Sequence, residues 1–360
     1  MRTPADPLAI PGAYGRKLHQ GTSPRGPAGR WTRMPDEFDE FADADLPAYV
    51  GLPSFHKLPW CPDDASLEAS RAQVAIVGAP YDEGTSARPG ARFGPRAIRE
   101  ASYLSGDIWS IPLQVDVLKV LRVVDAGDAP VVPSRPDRAH RVIQEKVRRV
   151  ASMGAIPVVL GGDHSITFPS AAAVSEVHRP RKVGMVHFDA HADTAAELWG
   201  ALASHGAPMR RLIEEGWIAG RNFVQVGLRG YWPDAATFRW MGEQGLRWHT
   251  MAEIEERGAE AVIADAIREA LDGPDAIYLS IDIDVLDPSV APGTGTPEPG
   301  GLHARELLRA VRQIVGRVDL VGMDVVEVSP PYDHAEITAR VANRCVLEAL
   351  AALAAKASRP

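Results

Sequence analysis

The sequence predicts an α/β fold with a mainly parallel central sheet covered by helices on both faces. Three observations lead there. Short apolar runs end in turn residues, amphipathic helical stretches separate them, and several runs finish in acidic motifs. Residues 73–80 (QVAIVGAP) form the first such run and read as a buried strand. Residues 118–128 (LKVLRVVDAGD) read as a second strand. Residues 137–154 have helical spacing, with an Asp at the start and a Gly at the stop. Strands return at AIPVVLGGDH, KVGMVHFDAH, NFVQVGLR, AIYLSIDIDV and VDLVGMDVVEVSP. Helices are expected at 209–215, 259–271, 305–315 and 336–356. Strict alternation of the two types means parallel strands with both sheet faces covered.

Length and composition set the frame. The chain has 360 residues, enough for a large core, and no linker interrupts the alternation. One domain is therefore expected over 49–360, preceded by an extension over 1–48. That extension is rich in Pro and Gly, basic in its first half and acidic in its second. It cannot bury enough apolar surface to fold alone. Its aromatic residues Trp31, Phe38 and Phe41 suggest an arm that packs on a neighbouring subunit. The net charge of −8 argues against a nucleic-acid or anionic-membrane surface. No apolar run is long enough to span a bilayer. Two cysteines far apart, Cys61 and Cys345, allow no disulfide framework and suit a reducing compartment, so a cytoplasmic location is expected.

The chemistry concentrates where the strands end. Residues two apart in a strand share a side, so Asp189, His191 and Asp193 of HFDAHAD converge if the chain stays extended. Asp282 and Asp284 of SIDIDVLDP do the same, and LGGDHS adds Asp163 and His164. The carboxyl ends of parallel strands are where such sheets bind ligands. Clustered carboxylates in low dielectric repel one another unless cations neutralise them. Asp189, Asp193, Asp282 and Asp284 balance two divalent ions, and with His164 and His191 they suit Mn²⁺, with Ni²⁺, Co²⁺ or Zn²⁺ as alternatives. Six side chains leave room for a water between the ions, acidified toward hydroxide near neutral pH.

Four motifs, GGDHS, HFDAHAD, SIDIDVLDPSVAPGTGTPEPGG and DVVEVSPPYD, resemble those of the ureohydrolases, the arginase and agmatinase superfamily. GAPYDEGTSARPGARFGPRAIREAS and EVSPPYDHAEITA resemble the agmatinase branch. The resemblance implies an arginase-like three-layer α/β/α sandwich, a binuclear metal centre and hydrolysis of a guanidino group to urea and an amine. It implies that His164, Asp189, Asp193 and Asp282 hold one metal, and Asp189, His191, Asp282 and Asp284 the other. It makes His205 a proton shuttle, although by sequence alone His205 reads as a loop histidine. It makes Glu327 the partner of the substrate guanidinium, and it gives Asp284 a share in stabilising the tetrahedral intermediate. Asp163 and His187 are expected to support the ligands, and Arg88 and Arg92 to serve structure or subunit contact. Assembly as a homotrimer or homohexamer is implied as well.

The chain departs from the agmatinase pattern at Ala192, where threonine is usual, and in the loop over 194–209. That loop lies where a substrate tail is expected. Agmatine or a related guanidino compound is the expected substrate. Guanidinobutyrate, guanidinopropionate and free or alkylated guanidines are alternatives, the last with nickel. Two other readings are a non-catalytic subunit of a hetero-oligomer with a paralogue and an amidohydrolase of acylated amines. The complete ligand set and Glu327 weigh against both.

Overall fold

In the computed structural model the residues described are 47–103 and 107–358. The extension over 1–48 and its expected packing on a neighbour therefore lie outside the described residues, apart from Pro47 and Ala48.

Eight strands form one sheet: β1 (Val74–Ala79), β2 (Val123–Asp128), β3 (Ile156–Gly161), β4 (Val183–Phe188), β5 (Phe223–Leu228), β6 (Arg247–Thr250), β7 (Ala276–Asp282) and β8 (Leu320–Val326). Their order is β2-β1-β3-β8-β7-β4-β5-β6. Every pairing is parallel. The strands are apolar on both sides because both sides are covered. Ile76, Val158, Leu160, Val186, Phe188 and Leu279 pack on one face against Leu307, Val311 and Ile314 of helix Ala304–Val315 and Val346 and Leu350 of helix Ile337–Ala357. Val159, Met185 and Tyr278 point the other way, toward Ile143 and Val147 of helix Pro136–Ser152 and Val174 of helix Thr167–His178. This is the expected three-layer α/β/α arrangement.

Helices Pro136–Ser152, Pro208–Glu214, Ala259–Ala270, Ala304–Val315 and Ile337–Ala357 fall within two residues of their expected bounds. One expectation about these elements needs correction. Residues 118–128 do not form one strand, because Val117–Val120 make a helical turn and the strand begins at Val123. Helix Thr167–His178 was not legible because it is buried from Thr167 through Ser175, so no polar face marks a period of 3.6 residues.

The strand ends are tightly packed. A Cβ on Gly162, just past β3, would lie 1.9 Å from the Tyr81 carbonyl oxygen and 2.7 Å from that of Ala79. Only glycine lets the β3 exit pass that close to the β1 exit, where Gly162 N donates to Ala79 O and Asp163 N to Tyr81 O. We expect Gly162→Ala to lower the unfolding free energy by about 3 kcal/mol. Chemical denaturation checks this, and an unchanged midpoint would mean that the loop yields freely.

Candidate metal centre and active site

Four neighbouring strands of the sheet, β3, β8, β7 and β4, deliver the site. His164 follows β3 and Glu327 follows β8, while Asp282 ends β7 with Asp284 just after it. Asp189, His191 and Asp193 follow β4. Side chains far apart in sequence meet because parallel strands all exit on one side.

The local geometry differs from the extended comb expected from alternation. Each strand ends, and the terminal aspartate accepts the backbone N–H two residues on. Asp189 Oδ1 accepts from His191 N at 2.6 Å, Asp282 Oδ1 from Asp284 N at 2.8 Å, and Asp163 Oδ1 from Ser165 N at 2.9 Å. These are Asx turns. Each swings the next side chain back toward the crevice. Asp193 then sits in the left-handed region at φ +50°, a sparsely populated backbone state that often marks a functional site.

Two groups of donor atoms result. His164 Nδ1 lies 3.1 Å from Asp189 Oδ2, 3.1 Å from Asp193 Oδ2 and 3.0 Å from Asp282 Oδ2. This buried nitrogen makes no properly directed hydrogen bond, although three oxygens surround it. A buried imidazole nitrogen facing three carboxylate oxygens marks a point that a cation would complete once the ring gives up its proton. His191 Nδ1 lies 3.1 Å from Asp284 Oδ2 and 3.5 Å from Asp189 Oδ1. Asp189 belongs to both groups, one oxygen to each. The described donors thus fit a two-ion centre. His187 also stands close to Asp189, but both of its ring nitrogens are taken. Nε2 bonds Asp189 Oδ2 at 2.9 Å and Nδ1 bonds Gln225 Nε2 at 3.2 Å. It holds the carboxylate through Nε2 and has no free lone pair, although it lies close enough to His164 and Asp189 for the three to share an ion.

Sequence reasoning missed the support behind His164. Its Nε2 bonds Ser280 Oγ at 3.0 Å, and that hydroxyl donates to Asp324 Oδ1 at 2.7 Å. Tyr278 and Thr167 hydroxyls each hold Asp324 Oδ2 at 2.8 Å. Tyr278, Ser280 and Asp282 alternate along β7, and Ser280 is the direct neighbour of Asp324 on β8. That period of two was the signal available. Arg229 was also missed. It donates to the carbonyls of Asp284 (2.7 Å) and Glu298 (2.6 Å), which ties the loop after β7 in place.

His205 is buried and not a surface loop histidine. Its Nδ1 is 2.9 Å from Glu327 Oε1, and its Nε2 is 2.7 Å from Ser86 Oγ. Glu327 has φ +62°, and its Oε1 also accepts from His164 N at 2.8 Å. The other oxygen, Oε2, is buried without a partner. Burial disfavours the charged His205 ring, yet the Glu327 carboxylate outweighs it and lifts the pKa to about 9. Burial likewise opposes the His191 cation, and Asp284 and Asp189 lift it to about 12. Burial and the Asp284 and Asp189 charges push Asp282 well above the usual carboxylate range. Burial and Glu327 raise Asp163 to about 7, while its Oδ2 holds Gly84 N at 2.7 Å.

A cavity of about 260 Å³ opens over this cluster. It is lined by His191, Asp193 and His205, by Ser86 and Thr296, and by Leu198, Trp199 and Trp232. The loop over 194–209 does form part of the wall. Arg92 pairs with buried Asp82, and Arg88 stacks over Tyr332 at 5.2 Å, so neither lines the cavity.

A parallel α/β protein with paired carboxylate–histidine groups at its strand ends has known relatives. The profile of the Arginase family matches residues 72–352, and the chain belongs to that family. Guanidinopropionase of Pseudomonas aeruginosa is 43% identical over 319 residues, spanning 88% of this chain and 96% of that protein. The mitochondrial agmatinase of Gallus gallus is 39% identical over 307 residues, spanning 84% and 86%. The solved proclavaminate amidino hydrolase of Streptomyces clavuligerus superposes with a TM-score of 0.79 at 38% identity, covering 86% of this chain and all of that one. The fold of this family implies a binuclear divalent metal site, and the described residues include two His/Asp groups close enough to hold ions, His164–His187–Asp189 and Asp189–His191–Asp284. No helix among the described residues is long and apolar enough to cross a membrane.

Two outcomes follow for the metals. In the metal-free protein His164 and His191 hold protons at neutral pH because their pKa values are raised, and ligation requires those protons to leave. Binding of Mn²⁺ or Ni²⁺ should therefore release protons and tighten as pH rises. Calorimetry in buffers of different ionisation enthalpy checks this, and proton uptake would contradict it. Asp284→Asn should lose most activity and metal while the far-ultraviolet spectrum stays unchanged, since a donor is lost and not core volume.

Proposed function

We propose that this enzyme cleaves a guanidino group to urea and an amine in a binuclear metal site built from His164, Asp189, His191, Asp193, Asp282 and Asp284. The observation that carries this reading is the pairing of two unsatisfied buried groups: His164 Nδ1 facing three carboxylates, and Glu327 Oε2 lacking a donor. The first suits a cation and the second a planar guanidinium N–H. Guanidino hydrolases among the relatives support the same chemistry. Mn²⁺ is the favoured ion, with Ni²⁺ or Co²⁺ next, because oxygen donors dominate the set.

When bound, two divalent ions polarise the guanidino group and acidify a water into the nucleophile. Glu327 holds the guanidinium by Oε2, while Oε1 remains tied to His164 N and His205 Nδ1. Asp284, whose Oδ2 accepts from Thr296 Oγ1 at 3.3 Å, is fixed where it can share in stabilising the tetrahedral intermediate. His205 supplies the proton that the departing amine needs. Leu198, Trp199 and Trp232 receive the tail and keep water out. The same proposal takes the catalytic domain as 49–360, assembly as a homotrimer or homohexamer, and a cytoplasmic location. Free, buried Cys61 and Cys345 suit that compartment.

The deciding experiment measures urea release from agmatine, guanidinobutyrate, guanidinopropionate, alkylguanidines and guanidine, with the protein loaded with Mn²⁺ or Ni²⁺. At least one compound should give metal-dependent urea. Release of acetate from acetylated polyamines without urea from any guanidino compound would sink the proposal. His205→Ala should cut kcat by about 10² or more and leave two metals bound. Metal loss in proportion to activity would remove its proton role. Trp199→Ala should raise KM more than it lowers kcat.

A further inference from the structure

The proton role given to His205 meets a geometric obstacle. Both ring nitrogens are occupied, Nδ1 by Glu327 Oε1 at 2.9 Å and Nε2 by Ser86. The ring is 7% exposed, whereas Ser86 is half-buried and lines the cavity. The ring borders the cavity, but neither of its nitrogens is free to reach into it, and the Nε2 side meets the cavity at that serine.

Ser86 touches Nε2 twice. Its backbone N–H donates at 3.0 Å and its hydroxyl lies at 2.7 Å. A backbone N–H can only donate, so it requires a lone pair on Nε2. The neutral ring therefore carries its hydrogen on Nδ1, facing the Glu327 carboxylate. When Nε2 gains a proton it gives up the bond from Ser86 N–H, and Ser86 Oγ becomes its acceptor, leaving the hydroxyl hydrogen free to donate to another atom. The loop cannot drift from this position. His205 N donates to Gly84 O at 3.0 Å, and Gly84 N is held by Asp163 Oδ2 at 2.7 Å. Downstream, Asp82 Oδ2 holds Gly90 N at 2.7 Å.

We propose that the Ser86 hydroxyl is the catalytic residue that hands the proton to the departing amine, with His205 as the reservoir behind it and Glu327 fixing the ring. This rests on the guanidino-hydrolase reading. The C–O bond forms from water, and the C–N bond to the amine then breaks with its electron pair staying on nitrogen. The Ser86 hydrogen moves to that nitrogen as the Nε2 hydrogen moves to Ser86 Oγ. His205 is left neutral and regains one proton of the water that supplied the oxygen, while that water's second proton passes from the C–OH of the intermediate to the amine nitrogen as the urea carbonyl forms. The sum is guanidinium plus water giving urea plus protonated amine, with no other reactant.

The test uses the metal-loaded full chain and a series of N-substituted guanidines whose leaving amines range from strongly basic alkylamines to weakly basic fluoroalkyl and aryl amines. Urea release, KM, thermal unfolding and metal content are measured for the wild type, Ser86→Ala and Ser86→Thr. For basic leaving amines Ser86→Ala should lower kcat by about 10², with KM, unfolding temperature and metal content unchanged. The loss should shrink to a few-fold for amines that depart without protonation. Ser86→Thr, which keeps the hydroxyl, should recover most of kcat. An equal loss across the whole series, a loss expressed in KM, or no recovery in Ser86→Thr would overturn the relay while leaving the hydrolase reading intact. If the wild type releases no urea from any member of the series, the hydrolase reading itself falls and the relay with it.

Discussion

The mutual repulsion of Asp189, Asp193, Asp282 and Asp284 is the constraint on which the rest of this structure depends. All four are buried, and the side chains that meet them are three histidines of the same crevice, His164, His187 and His191. Removing a carboxylate from water costs several kcal/mol even after relaxation, and like charges add to that. Such a cluster is tolerable only if the scaffold is held by other means and if cations arrive to balance it. The first condition is met by the two apolar layers that clamp the sheet. The second is met by donor atoms already aimed at common points, with Asp189 shared between them.

Strand order turns this constraint into a site. The proposed ligands come from the ends of β3, β4 and β7, and His164 and Asp284 are 120 residues apart, yet the order β3-β8-β7-β4 makes these strands neighbours. Inserting β8 between β3 and β7 brings Glu327 into the same crevice and sets Asp324 beside Ser280. The proposed guanidinium acceptor Glu327 and the support for His164 thus come from one strand. The loop after β1 closes the opposite side, because β1 borders β3. The repeated Asx turn gives each strand end the same means of presenting a second side chain without extending the strand.

Much of this was legible in the sequence, for identifiable reasons. Apolar runs with acidic ends report buried parallel strands directly, since burial on both faces leaves no alternation to misread. The six expected ligands come together for the same reason. What failed was the local mechanism. HFDAHAD looks like an extended comb, but its spacing of two serves equally for an Asx turn, and only backbone hydrogen bonds tell the two apart. Helix Thr167–His178 was hidden by being buried on nearly all sides. Ser86 was invisible for a third reason. Its partner His205 lies 119 residues away, and a serine in a glycine- and proline-rich loop carries no periodic signal.

The central claim is that the crevice holds two ions with Asp189 between them. The direct measurement is anomalous scattering from crystals of the metal-loaded protein, recorded on either side of the metal absorption edge. The account predicts two peaks at the ends of β3, β4 and β7, one beside His164 and one beside His191, each within bonding distance of Asp189. A single peak, or peaks away from these strand ends, would contradict it.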